Sequence, residues 1–228
     1  MLFDLRGRGR RRTVQVIYAT LALLMGGGLV FFGIGGATSG GLLDAIKGSN
    51  GSSSTSDVFK KRVQRLEQQV RVNPQNETAW ADLTNLRFQV ATSGDNYDQT
   101  NGVYTDKGKS VLRQADQSWQ RYLALNPKKP DPTTANLMVQ AYGQAGLQDY
   151  DKAVQAMEIV VDSRKPTSAL YAQLAVLAHA AGQSRKSTLS QQKALSLAPK
   201  AQRKQLQQTI QTAESQIDAA KTQTTASG

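Results

Sequence analysis

Apolar residues recur at helical spacing through most of the chain beyond residue 57, and short polar turns separate them. The clearest example is the stretch 171–199. Its apolar positions are Tyr171, Leu174, Ala175, Ala178, Leu189, Ala194 and Leu195. Gly182 divides these positions into two groups, and residues three or four positions apart share one face of an α-helix. The stretch therefore predicts two amphipathic helices that are joined by a tight turn and end before Pro199.

Two earlier stretches repeat this arrangement, and turns and prolines mark the limits of all three. The predicted helix pairs occupy residues 77–129, 132–166 and 168–200. A single helical pattern at residues 57–74, with Asp57 as its N-cap, precedes the first pair. Another, at residues 200–221, follows the last pair and has Leu206, Ile210 and Ile217 on one face. Residues 222–228 are expected to be a disordered tail.

The second pair carries the most informative motif. Ala141-Tyr142, Gly146 and the run 149–153 (DYDKA) resemble the tetratricopeptide repeat (TPR), a helix-turn-helix unit of about 34 residues. Two features depart from the family: Leu147 and Gln148 lengthen the turn, and the third pair has Ser187 where alanine is usual. The resemblance implies an all-α solenoid over residues 57–221, with a half-repeat at 57–74 and a capping helix at 200–221. It also implies a protein-interaction scaffold and not an enzyme.

The first pair is lengthened by a polar insertion at residues 91–107 (ATSGDNYDQTNGVYTDK). Its composition predicts an ordered loop, or a helix extension followed by a loop. Tyr97 and Tyr104 are candidates for contacts with a partner, although tyrosines that fold the loop back onto the helices are the favoured interpretation. Residues 102–110 resemble a phosphate-binding loop, which has four residues between its first glycine and its Gly-Lys-Ser. Here five residues separate Gly102 from the Gly-Lys-Ser that begins at Gly108, so no nucleotide site is predicted.

The N-terminal end predicts a membrane anchor. Five arginines lie within residues 1–12, and residues 14–34 are mainly apolar. As a helix, this apolar segment would be about 31 Å long, close to the hydrocarbon thickness of a bilayer. We expect one transmembrane helix within residues 13–36, with the basic residues inside the cell and the repeats outside. A cleavable signal peptide is the alternative.

The anchor is followed by a linker at residues 37–56, which is rich in glycine and serine. Within the anchor, Ala22 and Gly26 are four positions apart and offer a surface for weak self-association. Together with the repeats, this order of segments resembles the membrane-tethered TPR proteins of bacteria. The resemblance implies a cytoplasmic-membrane protein that assists protein export, folding or the assembly of envelope complexes.

Composition excludes several classes of function. There is no cysteine, which excludes disulfides and thiolate chemistry. His179 is the only histidine, and no second histidine or cysteine could share a metal with it. We therefore expect no cofactor, metal or catalytic residue. Residues 57–228 contain 22 basic and 15 acidic side chains, spread without a dense patch along the sequence, so no specific nucleic-acid partner is expected.

In the TPR arrangement, the first helix of each pair lines a concave groove. The predicted groove residues are Asn85, Phe88, Gln89, Asn136, Gln140, Gln144, Val176 and His179. None is lysine or arginine, whereas TPR domains that clamp acidic C-termini use those residues. Since asparagine and glutamine can pair with the main chain of an extended peptide, the predicted ligand is an uncharged, extended protein segment. The other interpretation is that these polar residues face solvent and bind no ligand. The alternative function is binding of an anionic polymer or membrane surface by the basic domain.

Overall fold

The computed structural model describes residues 52–226, with side chains from residue 58 to residue 222. The predicted membrane segment 14–34, the basic N-terminus and most of the linker lie outside the described residues. The described part contains eight α-helices, which confirms the all-α prediction. In chain order they are α1 (Ser52–Val72), α2 (Glu77–Ala91), α3 (Asp106–Ala124), α4 (Pro132–Tyr142), α5 (Tyr150–Ser163), α6 (Ser168–Ala180), α7 (Ser184–Leu197) and α8 (Arg203–Ala226). Within residues 52–226, none of these helices has both the length and the apolar character needed to cross a bilayer.

Short polar residues fix where most helices begin. The side-chain oxygens of five residues accept hydrogen bonds from backbone N–H groups in the first turn of the helix that follows. These N-caps are Asn76, Thr105, Asp131, Asp149 and Thr167. Gly182, with φ 73°, reverses the chain after α6 as predicted, and Asn126 takes the same left-handed conformation after α3, with φ 55°. Local sequence therefore sets the division into helices.

Two helices extend beyond their predicted limits. The first, α1, begins at Ser52, so Asp57 lies inside the helix and the prediction that it is the N-cap is wrong. The last, α8, continues to Ala226 through most of the tail that was predicted to be disordered. Neither extension contains glycine or proline, and serine and threonine lower helix stability by less than about 0.7 kcal/mol each. An existing helix can therefore grow through them.

The helices pack in chain order as neighbouring pairs. The closest packing joins α2 to α3, α4 to α5 and α6 to α7. Contacts between α2 and α4, and between α5 and α6, join one pair to the next, while α1 covers α2 at one end. At the other end, α8 packs against α6 and α7. The main helix contacts thus join elements that are close together along the chain.

Large side chains fill the interior from α2 to α6. Its largest fully buried members are Trp119, Tyr142, Leu83, Leu112, Met138 and Met157. The face of α7 that packs is different, because it is made of the small residues Ser187, Ser190 and Ala194. The prediction that Leu189 belongs to this stripe is wrong, since 56% of its surface is exposed. It follows Thr188 and precedes the buried Ser190, so a rotation of about 100° per residue turns it away from the packed face.

The insertion is ordered and folds back onto the helices. A short 3₁₀ helix, Gly94–Asn96, leads into a two-stranded antiparallel hairpin made of β1 (Tyr97–Asp98) and β2 (Val103–Tyr104). The rings of Tyr97 and Tyr104 meet edge to face with their centroids 4.9 Å apart. Tyr104 is buried in the main core, and its backbone N–H donates to the carbonyl of Ala145, 3.3 Å away, in the turn between α4 and α5. The hairpin therefore ties the first helix pair to the second.

Candidate functional site

Four of the predicted groove residues lie on α2 and α4, the first helices of the first two pairs. Asn85 and Gln89 are four positions apart on α2, and Asn136 and Gln140 are four positions apart on α4. Since α2 and α4 are in contact, these two short stripes lie on adjacent helices. Gln89 and Gln140 are exposed, while Asn85 and Asn136 are half-buried. We call these four residues the polar wall.

The carboxamide of Asn85 is incompletely satisfied. Its Oδ1 atom is buried and accepts no hydrogen bond from the residues that the structure describes. Buried acceptors of this kind are uncommon, and leaving one unpaired costs about 1–3 kcal/mol. The terminal torsion of asparagine is broad, so this carboxamide can rotate. The polar wall thus contains an acceptor that lacks a donor.

The charges nearest the polar wall all belong to α2. The whole of α4 carries no Asp, Glu, Lys or Arg. On α2, Arg87 is occupied elsewhere: its guanidinium donates to Glu67 Oε1 at 2.7 Å, to the Gln114 carbonyl at 3.1 Å and to the Ser118 hydroxyl. The cation is therefore neutralised between helices α1, α2 and α3. A ligand at the polar wall would meet the amides and Asp82, an exposed acid three positions before Asn85 on the same face of α2.

The other four predicted groove residues differ in their surroundings. Phe88 was predicted as an apolar contact, which is wrong, because it is 6% exposed and part of the main core. Gln144 lies in the turn after α4 and not on the helix. Val176 is half-buried on α6.

His179 was predicted as a groove residue, and its side chain is half-buried and contacts α8. Its Nε2 atom lies 2.9 Å from Asp218 Oδ1 of α8, and its Nδ1 atom lies 3.9 Å from Glu214 Oε1. The hydroxyl of Ser187 on α7 donates to the same Glu214 oxygen at 3.0 Å. His179 therefore helps to hold α8 against the last helix pair.

Sequence reasoning missed a polar cluster that joins α3, α4 and α5. Asp116 accepts a hydrogen bond from the Tyr142 hydroxyl at 2.6 Å and from Lys152 Nζ at 2.9 Å. Asp149 lies 3.4 Å from the same ammonium, and Gln120 donates to Asp116 at 3.2 Å. Lys152 belongs to the DYDKA motif, but its partner is 36 positions away along the chain. Only the packing of the helices could reveal the pairing.

The electrostatics of this cluster favour a structural role. Burial alone would lower the pKa of Lys152, but the hydrogen bond to Asp116 and the charges of Asp116 and Asp149 outweigh it and raise the pKa. Burial, the hydrogen bond to Asp116 and the charge of Asp116 raise the pKa of Tyr142 as well. Both groups therefore keep their protons at neutral pH, so neither is poised as a general base. The cluster links helices and does not activate a nucleophile.

The other sites with possible chemistry are also accounted for. Among the described residues, no group of three or more Asp, Glu, His or Cys side chains is placed to hold a metal ion. In the segment that resembles a phosphate-binding loop, the Thr105 hydroxyl already accepts from the Gly108 N–H at 3.2 Å. Gly108 also lies so close to the chain that an added Cβ would come within 2.0 Å of the Asn96 carbonyl oxygen. This turn is occupied by the protein itself.

Comparisons with protein-family models, with curated proteins and with solved structures find no match to this chain. The polar wall is therefore interpreted from its own residues, their contacts and their charges.

Proposed function

We propose that the protein is a scaffold that binds an uncharged, extended segment of another protein along the polar wall. The observation that carries the proposal is the unpaired Asn85 oxygen within a set of four amides, of which the two on α4 belong to a helix with no charged residue. Side-chain amides offer both donors and acceptors, so they can pair with the N–H and C=O groups of an extended main chain. Such pairing reads the backbone of the ligand and is largely independent of its side chains.

The architecture supports this use of the surface. In the proposal, α2–α3, α4–α5 and α6–α7 are three TPR-like units, α1 covers the first unit and α8 is the capping helix. Stacked helix pairs expose a continuous surface to extended ligands, and terminal helices with one polar face keep the ends soluble. The ligand would lie across the first helices, beginning with the polar wall on α2 and α4.

Salt dependence tests the proposed recognition. The full chain is applied to an array of short uncharged peptides, and the affinity of the strongest binder is measured from about 50 to about 300 mM salt. We expect the affinity to change little with salt and to fall on Asn136→Ala/Gln140→Ala substitution. Gln155→Ala, at an exposed position on α5, is the matched control and should bind as the wild type does. An affinity that collapses with salt and ignores the double substitution would contradict the proposal.

The proposed setting is the outer side of the cytoplasmic membrane of a bacterium, with residues 14–34 as the anchor. There the scaffold would serve protein export, folding or the assembly of envelope complexes. The sequence supports this setting through the apolar length of the segment and the arginines before it.

The chain has no cysteine, so a single introduced cysteine can report the topology without background labelling. In intact cells, or in spheroplasts if there is an outer membrane, Ser227→Cys should react with a membrane-impermeant thiol reagent and Leu2→Cys should not. Labelling at Leu2 alone would reverse this topology.

A further inference from the structure

The outward face of α7 carries an alternating stripe of cations and leucines. Arg185, Leu189, Lys193 and Leu197 are each four positions apart, so they follow one another along one side of the helix. All four are exposed, and the exposed fractions of the two leucines are 56% and 38%. The small buried residues of α7 lie opposite Arg185 and Leu189. Because the stripe turns by about 120° from Arg185 to Leu197, Leu197 lies beside this packed face. The stripe is therefore a separate surface, on a different helix from the polar wall.

Positive charge accumulates at this end of the chain. Between Asp162 and Glu214 there is no acidic residue. The basic residues of this interval are Arg164, Lys165, Arg185, Lys186, Lys193, Lys200, Arg203 and Lys204. Eight cations without an acid exceed the net charge of about +7 that 22 basic and 15 acidic residues give the whole of 57–228. The excess charge, which is diffuse along the sequence as a whole, is concentrated between the end of α5 and the start of α8.

Carboxylates from other elements neutralise only part of this charge. Glu158 on α5 pairs with Lys186 at 2.6 Å. Asp151 accepts from Gln183 at 2.7 Å, but that donor is neutral. Arg203 is exposed and donates to the carbonyl of Ala198 at 3.1 Å. By contrast, Arg185 and Lys193, the two cations of the stripe, have no ion-pair partner among the described residues. They remain free to bind anions.

We propose that the stripe on α7 docks onto the surface of a bilayer that contains anionic lipids. Cations beside a membrane are attracted to anionic headgroups, and leucines between them can enter the boundary between headgroups and acyl chains. A soluble polyanion would use the cations but would gain little from the two leucines. The alternation of the two residue types therefore favours lipid as the partner. The docking would hold the last helix pair against the membrane and leave α2 and α4 available.

Fluorescence of a single label tests the proposal in the full chain. Ser196→Cys places the label on the exposed face beside Leu197, and Val72→Cys, which is 79% exposed on α1, is the matched control. The labelled chain is reconstituted into phosphatidylcholine vesicles with or without phosphatidylglycerol, and brominated acyl chains serve as the quencher. We expect quenching at position 196 only with the anionic lipid, and no quenching at position 72 in either vesicle.

Two pairs of substitutions separate the contributions of charge and leucine. Arg185→Gln/Lys193→Gln and Leu189→Ser/Leu197→Ser should each reduce the quenching at position 196 by about half or more. The helical circular dichroism should stay unchanged for both pairs. The melting temperature should fall slightly for the leucine pair only, because Leu197 is 38% exposed and the rest of its surface is packed. Equal quenching at 196 and 72, or none at 196, would overturn the proposal.

Soluble polyphosphate is the second probe. A label at 196 that responds to polyphosphate, with or without the leucines, and not to anionic vesicles would assign the stripe to a polyanion instead. Peptide binding at the polar wall is measured separately and does not depend on either result.

Discussion

The first helices of the three pairs differ sharply in charge from the second helices. Neither α4 nor α6 contains an Asp, Glu, Lys or Arg, whereas α3 has six such residues, α5 four and α7 three. Only α2, at the start of the array, breaks this rule, with three charges of which Arg87 is internally paired. The two kinds of helix therefore present chemically different surfaces.

Their packing explains the difference. Helix α4 contacts α2, α3 and α5, so most of its circumference is covered and only a narrow strip reaches water. A charge on a mostly covered helix would lose hydration that the interior does not replace. A second helix such as α7 keeps a broad outward face, where charges remain hydrated. The uncharged exposed strip of α4 can therefore pair with a peptide backbone. The charged outward faces of the second helices can contact solvent or an anionic surface.

Replacing the two tryptophans of the first pair should give the largest difference in unfolding free energy. Trp119 on the second helix α3 is 1% exposed, while Trp80 on the first helix α2 is half-buried and donates from Nε1 to the Pro74 carbonyl at 2.9 Å. Trp119→Ala should lower the free energy of unfolding by about 3–5 kcal/mol, because it empties a closed site. Trp80→Ala should cost about 1–2 kcal/mol, since part of the ring already faces water. Denaturant unfolding followed by circular dichroism measures both, and equal losses would contradict the assignment.

The polar cluster predicts the next largest effect. Asp116→Asn keeps the shape of the side chain but removes the charge that faces Lys152 and the strong acceptor of the Tyr142 hydroxyl. The free energy of unfolding should fall by about 2–3 kcal/mol, because hydrogen bonds to charged groups are among the stronger ones. Asp162→Asn is the matched control on α5, exposed and without an ion-pair partner in the described part of the chain. If both substitutions cost the same, the cluster does not link the helices.

Buried tyrosines predict a loss of stability in alkali. Burial, and to a lesser extent Tyr97, raises the pKa of Tyr104 from 10.0 to about 12. The folded state therefore holds this proton more tightly than the unfolded chain does. The stabilisation is complete below pH 10 and is lost as the pH rises from 10 towards 12. We expect Tyr104→Phe to reduce that loss by about 2 kcal/mol. Unfolding curves recorded across this pH window would contradict the prediction if the two proteins decline in parallel.

Helix pairs, turns and caps could be predicted from the sequence because their causes are local. Gly182 and Asn126 reverse the chain where the apolar pattern stops, and capping residues stand directly before the helices. Apolar periodicity also identified Ile210, which is buried on α8, as part of a covering face. Such features depend on residues within a few positions of each other.

Predictions failed where a side chain's surroundings come from distant parts of the chain. His179 is held by Asp218, 39 positions away, so no local pattern could separate it from the groove. Phe88 has a position that fits either face of α2, and only the neighbouring helices decide that it is buried. The composition of the insertion indicated a loop. The hydrogen bond from the Tyr104 N–H to the Ala145 carbonyl could not be predicted, because it depends on how the helices pack. Four of the eight predicted groove residues therefore make up the polar wall.

Site-directed photocrosslinking tests the use of the first helices most directly. A photoreactive amino acid replaces Gln140 on the first helix α4 or Gln155 on the second helix α5, both exposed positions with the same native side chain. The full chain is irradiated with the strongest-binding uncharged peptide from the array. The expected result is a covalent adduct from position 140 and none from position 155. Adducts from position 155 alone, or equal yields at both positions, would contradict binding at the polar wall.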